Sequence, residues 1–171
     1  MAWKILRIVS GIITEIEAII TSAGAGDSGK VIAADASGKL DSSFLPTGVG
    51  AETKAIAASE NLAAGDFVNI WDDSGTPKAR KADASGGVAK RAHGFVLSAV
   101  TSPANATVYL EGINTQCSGL TGGTNYFLSG ASAGLPTATA PSTTAYIVQP
   151  IGVALSATEI SFEPQPPVVL V

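Results

Sequence analysis

One cysteine and one histidine stand among 171 residues, and that scarcity excludes more than any motif asserts. Cys117 has no second cysteine to pair with, which rules out an intrachain disulfide and any zinc site built on several thiolates. His93, with no other histidine to join it, leaves catalytic triads and histidine-based metal clusters short of parts. Charge is also scarce: Asp, Glu, Lys and Arg make up 14% of the chain, against about 25% in an average soluble domain. The formal net charge of -4 comes with no broad basic face, so nucleic acid is not an expected partner. Aromatics are 6% of the chain. A hydrophobic share of 46% therefore rests on Ala, Val, Ile and Leu, and calls for either much buried surface or much contact between subunits. The length suits one ordinary domain with an appendage.

No apolar run reaches the roughly 20 uninterrupted residues that span a bilayer. The nearest approach, residues 1–22, is broken by Arg7, Glu15 and Glu17, so no membrane partner is expected. The same acids fall inside what would be the apolar region of a signal peptide, despite Lys4, Arg7 and the small residues Ser22-Ala23-Gly24-Ala25. What the segment does carry is periodicity. Leu6, Val9, Ile13, Ile16 and Ile20 recur at spacings of 3, 4, 3 and 4, a heptad seam, and Ile5, Ile12 and Ile19 form a second line at seven. The spacing predicts an amphipathic assembly helix over 1–22, and isoleucine at both core positions favours three or more strands over two. Gly11 costs such a helix about 1 kcal/mol, and barely two heptads cannot hold it alone. The helix needs a partner, either other copies or its own domain.

Residues 23–50 read as a linker. Ala23-Gly24-Ala25-Gly26-Asp27-Ser28-Gly29 is turn-rich, residues 30–34 suit a short strand, and Pro46 stops regular structure after Phe44 and Leu45. From residue 51 short strands alternate with Gly, Pro, Asn and Ser. The candidates are 54–59, 66–72, 77–82, 92–100, 106–112, 125–129, 145–149, 150–155 and 158–163. Val108 and Leu110 share one face against Tyr109, and Ile160 and Phe162 point away from Glu159, Ser161 and Glu163. Turn signals fill the gaps at Asp73-Ser74-Gly75, Ser85-Gly86-Gly87 and Gly122-Gly123-Thr124-Asn125. The expected fold is mainly β: helix 1–22, linker 23–50, then an antiparallel β-sandwich or small β-barrel over 51–163. A proline-rich tail follows over 164–171.

Chemistry finds little purchase. Asp72-Asp73-Ser74-Gly75 lacks the 12-residue ligand pattern of a calcium loop and reads as a hairpin turn. Glu159 and Glu163 lie on the polar side of one strand, a solvated face rather than an acid–base pair. Cys117 reads as a small buried residue in a strand, and His93 as a structural or exposed imidazole. No cofactor, metal or catalytic turnover is expected. Lys78, Arg80, Lys81, Lys90 and Arg91 are five of the six positive charges after residue 50. Paired as a hairpin they form one basic edge, which either protects the edge from stray pairing or docks on an acidic shell. In the tail, Pro164-Gln165-Pro166-Pro167 is an extended spacer before the apolar Val168, Val169, Leu170 and Val171. Those four either add to a neighbouring subunit or form the last strand of their own domain.

Ala92-His93-Gly94-Phe95-Val96, Val108-Tyr109-Leu110-Glu111-Gly112, Ser118 through Ser129 and Val148 through Thr158 together resemble a module of tailed-bacteriophage virion proteins. Val31 through Asp35 and on to Leu45-Pro46-Thr47-Gly48-Val49-Gly50 resembles a connector in the same proteins. The resemblance covers residues 30–163, and such modules occur in capsid decoration (cement) proteins and in head and tail fibres. It implies a non-enzymatic protein made in the host cytoplasm and located on the capsid surface of the virion. The first expectation is a homotrimeric decoration protein bound to the major capsid protein or another virion protein. The rival is a head or tail fibre whose β domain binds a host-surface glycan or protein. Fibres of this kind carry longer shafts, so the length leans toward decoration. A small carbohydrate hydrolase is the more distant rival.

Overall fold

The computed structural model describes residues 4–45 and 51–171. The chain divides into two compact units, residues 1–50 and 51–171. Among the described residues it is built of strands and short 3₁₀ turns, and no helix is long and apolar enough to cross a membrane.

The first unit corrects the expected helix. Residues Lys4–Val9 (β1) and Ile12–Glu17 (β2) form an antiparallel hairpin, with Ile5 opposite Ile16, Ile8 opposite Ile13 and Val9 opposite Ile12. Ser10 and Gly11 make the reversal, with φ of 52° and 82°. Two successive positive φ angles define the type I′ turn that matches strand twist. Gly11 is thus the corner of the segment rather than a costly helix interior. The composition agrees, since Ile5, Ile8, Val9, Ile12, Ile13, Thr14 and Ile16 are β-branched and lose rotamer freedom in a helix. Past β2, Ile19 bridges Ile32 in parallel, where a short strand was expected. The rest is loop tied by carboxylates. Asp41 accepts from the Ser43 N–H at 2.9 Å, and Asp35 accepts from the Ser37 and Lys39 N–H groups at 2.8 and 2.9 Å. Residues 46–50, the end of the expected linker and of the connector resemblance, lie outside the described residues, as do residues 1–3 and the side chain of Val9.

The second unit holds the core. Five strands close a barrel in the order β3-β5-β4-β6-β7: Thr53–Ala58 (β3), Phe67–Asp73 (β4), Thr76–Lys81 (β5), Gly94–Val96 (β6) and Asn105–Tyr109 (β7). All neighbours pair antiparallel except β3 with β5, which run parallel. A five-stranded sheet follows, in the order β10-β9-β12-β13-β8: Gly112–Asn114 (β8), Asn125–Leu128 (β9), Pro136–Thr137 (β10), Pro150–Ala154 (β12) and Ile160–Phe162 (β13). Ile147–Val148 (β11) pairs with Val168–Val169 (β14). All nine expected strand segments of this region contain an observed strand, and the sandwich-or-barrel expectation resolves to a closed barrel packed on a sheet.

Strand alternation sorts the side chains into two cores. Val68, Val96, Ala79, Ala106, Val108, Ile56 and Ala58 fill the barrel. Their neighbours Phe67 and Phe95 point outward and meet Phe162, Leu128, Ile151 and Ile160 from the sheet. Phe162 sits 5.5 Å from the Phe67 ring centre and 5.6 Å from that of Phe95, and Phe95 stacks on Tyr109 at 5.4 Å. Four of the ten aromatics meet at this one seam. Gly152, with φ of 138°, passes so close to the Ser161 carbonyl that a side chain there has no room, at the point where β12 shifts register against β9.

Buried Gln149 ties the seam. Its Oε1 accepts from the Ala92 N–H at 2.8 Å, and its Nε2 donates to the Ala92 carbonyl at 3.0 Å and the Gln165 carbonyl at 3.3 Å. A glutamine here substitutes for a missing stretch of backbone ladder. Phe162→Ala is expected to destabilise this unit by about 3–5 kcal/mol, read as a lower denaturant midpoint. Leu6→Ala, on the exposed hairpin, is expected to leave that midpoint where it is.

Candidate functional site

The hairpin is the most unusual surface of the chain. Leu6, Ile8 and Ile13 lie on one face and are 76%, 70% and 68% exposed, and Ile12, on the other face, is 70% exposed. Among its described residues the first unit buries no side chain at all. Burying one such aliphatic side chain is worth about 1.5–3 kcal/mol, and a two-stranded hairpin by itself is marginal in water. The Lys4–Glu15 ion pair at 3.0 Å is half exposed and adds little. The sequence-predicted assembly residues therefore redistribute. Leu6 and Ile13 share one hairpin face, Ile5, Ile12 and Ile16 share the other, Val9 pairs with Ile12 in the backbone register, and Ile19 and Ile20 fall beyond β2. They are not one helical seam, and the preference for three copies drawn from coiled-coil core positions goes with the helix.

The tail also departs from the intersubunit strand. β14 pairs with β11 of its own unit, Val169 opposite Ile147 and Val168 opposite Val148, and the Leu170 N–H donates to the Tyr146 carbonyl at 2.9 Å. The proline spacer lets the chain turn back instead of reaching out. Val168, Val169 and Val171 nevertheless remain exposed on this edge.

The five cations do not form one basic edge. β5 is flanked on both sides inside the barrel, by β3 and β4, and residues 84–90 are 3₁₀ turns rather than a pairing strand. Lys78 bonds Asp73 at 2.5 Å, and Lys81 reaches the buried Asp66 at 3.2 Å. Arg80 lies over the Trp71 ring at 4.9 Å, donates from Nε to the Asn69 Oδ1 at 3.0 Å and from Nη2 to the Ala89 carbonyl at 2.8 Å. Their roles are internal: Arg80 pins the 84–90 turns to the barrel, and Lys81 offsets a buried carboxylate. Lys90 and Arg91 follow in that turn region.

His93 is structural. Its Nδ1 accepts from the Ile70 N–H at 3.0 Å, so that nitrogen carries no proton, and Asn69 Nδ2 lies 3.4 Å away. Burial, and then the charge of Arg91, hold its pKa below the ordinary histidine value. Cys117 sits half-buried in the loop between β8 and β9, not in a strand, and burial pushes its thiol up to about 11. At neutral pH it stays protonated and is a poor nucleophile. Asp72-Asp73-Ser74-Gly75 is the β4–β5 hairpin turn, with the Gly75 N–H donating to Asp72 Oδ2 at 3.1 Å. Among the described residues no three of His, Cys, Asp and Glu gather into a metal site.

Sequence reasoning passed over one feature. A cleft of about 300 Å³ opens beside Ser129, Gly130, Thr137, Thr139, Thr143 and Tyr146. The Thr- and Ser-rich run 137–144 was its only signal, and hydroxyl-rich loops are too common for that run to mark a cleft. Comparison with family models, with curated proteins and with solved structures finds no match to this chain.

Two outcomes follow from this geometry. Because the folded state holds His93 below its unfolded value, the unfolded chain takes up the proton first as pH falls. Stability is therefore expected to be full above about pH 6.5 and to decline below it. His93→Asn should flatten that decline in melting curves across pH 5 to 8. Deleting residues 1–22 is expected to leave the second unit folded by circular dichroism while abolishing self-association in light scattering.

Proposed function

We propose that this chain is a bacteriophage capsid decoration protein, a homotrimer that binds the major capsid protein on the head surface and stabilises the shell. The observation that carries the self-assembling part is the bare aliphatic hairpin, joined to a second unit that has buried cores of its own. The phage head as its location is supported by the resemblance of residues 30–163, whose conspicuous stretches fall on β6, β7, β9 and β12. The mechanism is mechanical. Each copy contributes weak contacts, and symmetry multiplies them, so that a trimer holds adjacent capsomers far more tightly than one arm would. The chemistry already described fits a protein that works by contact: the histidine and the cysteine serve packing, and three of the five cations are engaged within the unit.

The hydroxyl-lined cleft favours a second reading, a head or tail fibre whose β unit binds a host-surface glycan. Thr139, Thr143 and Tyr146 line one opening with hydroxyl side chains, the Ser129 and Thr137 hydroxyls beside them being bonded within their own loops, and hydroxyls are the kind of donors and acceptors that meet sugar hydroxyls. Copy number separates the two. Quantitative mass spectrometry of purified particles is expected to find this chain in proportion to the capsomers, and purified protein is expected to bind shells that lack it. A few copies per particle, confined to a tail or one vertex, would overturn decoration in favour of the fibre.

A further inference from the structure

The two strands of the hairpin carry opposite charge. β1 holds Lys4 and Arg7, and β2 holds Glu15 and Glu17. Among the described residues the hairpin is a sheet of these two strands alone, so each has an outer edge with unpaired backbone groups, and such edges invite another strand. Contact with a second copy has two symmetric forms. In an isologous pair, β1 meets β1 or β2 meets β2 antiparallel, which carries Lys4, or Glu15 and Glu17, toward the uncharged turn end of the mate strand, and Arg7 lies on the other face, opposite Thr14. In a head-to-tail contact, the basic β1 meets the acidic β2 of the next copy, antiparallel as within the hairpin.

We infer that copies of this chain join head to tail through the hairpin, the β1 edge of one on the β2 edge of the next, in a closed cyclic ring. Opposite charges on facing strands are favourable, and only the head-to-tail form brings Lys4 against Glu15 and Glu17, which selects it. A head-to-tail contact closes only by rotation. The face with Leu6, Ile8 and Ile13 turns inward, and those residues supply the core that the first unit lacks. Lys4, Glu15 and Glu17, on the same face but toward the open end, ring its mouth. The second unit closes a barrel of aliphatic side chains with five strands. Two hairpins supply fewer than that and three supply more, so three is the smallest ring.

The inference rests on the self-assembly in the proposed function but not on the phage head, and its test is read in solution without particles. The fourfold exchange variant K4E/R7E/E15K/E17K keeps the charge pairing inside the hairpin and between identical copies, while wild-type and variant edges repel. Differently tagged wild-type and variant chains, denatured, mixed and refolded, are expected to sort into separate homotypic trimers by native mass spectrometry. Mixed oligomers or dimers would overturn the ring, as would a monomeric wild-type chain, and the first two leave the decoration role standing. Circular dichroism and the homotypic trimer of the variant alone check that the hairpin survives. If it does not, the threefold exchange K4E/E15K/E17K, which swaps every charge of the inward face and leaves Arg7 on the other face untouched, carries the same mixing test.

Discussion

The fold depends on one aromatic seam. Phe67 and Phe95 project from adjacent barrel strands into the space that Phe162 fills from the sheet, and Tyr109 stacks behind Phe95. Each large ring buries more area than any aliphatic residue available to this chain, and offset or edge-on contacts add to that. Without the seam, a small barrel and a small sheet would each expose an apolar face. With it they share a core, and Gln149 closes the gap where no backbone pair is available. Ile147 of β11 and Ala84 of the 84–90 turns join this same core, and the tail pairs with β11.

The first unit obeys the opposite rule. It has aliphatic residues in plenty and nowhere in its described residues to bury them. Its order comes from turns: a Ser-Gly reversal, carboxylates accepting nearby N–H groups, and a Lys30–Asp27 pair at 2.6 Å. Such local bonds shape a loop but supply little net stability, since each replaces a bond to water. The two units differ accordingly: one buries its own apolar surface, and the other leaves its described aliphatic residues exposed or half-buried.

The charged residues show how context decides function. Five cations close in sequence suggest an interface, yet in the barrel Lys78, Arg80 and Lys81 turn to Asp73, Trp71, Asn69 and Asp66. A buried carboxylate such as Asp66 is costly unless a cation reaches it, and Lys81 does so from the end of β5. The sequence places these charges near one another but cannot say that Asp66 is buried, because that depends on Gly134 and the sheet crossing over it. The hairpin likewise sets basic β1 beside acidic β2, with Lys4 opposite Glu17, a pairing that no reading of the segment as a helix contains.

By itself the sequence determined the β character of residues 51–163, the strand segments there other than β8 and β10, the Asp72–Gly75 turn and the apolar excess of the first unit. Half-buried strands alternate every second residue, and turns draw on a few residue types, so both leave local marks. Tertiary structure decided what local marks leave open. Isoleucines three, four and seven apart fit a helix seam, and they also fit two short strands once the chain reverses at Ser10-Gly11. The tail's four apolar residues suit any sheet edge, and only the position of β11 selects its own. The closure of the barrel, the path of Gln149 and the cleft beside Tyr146 join residues far apart in the chain. Partner choice between distant strands is set by which arrangement buries the most apolar surface at once, a property of the whole unit that no window of sequence contains.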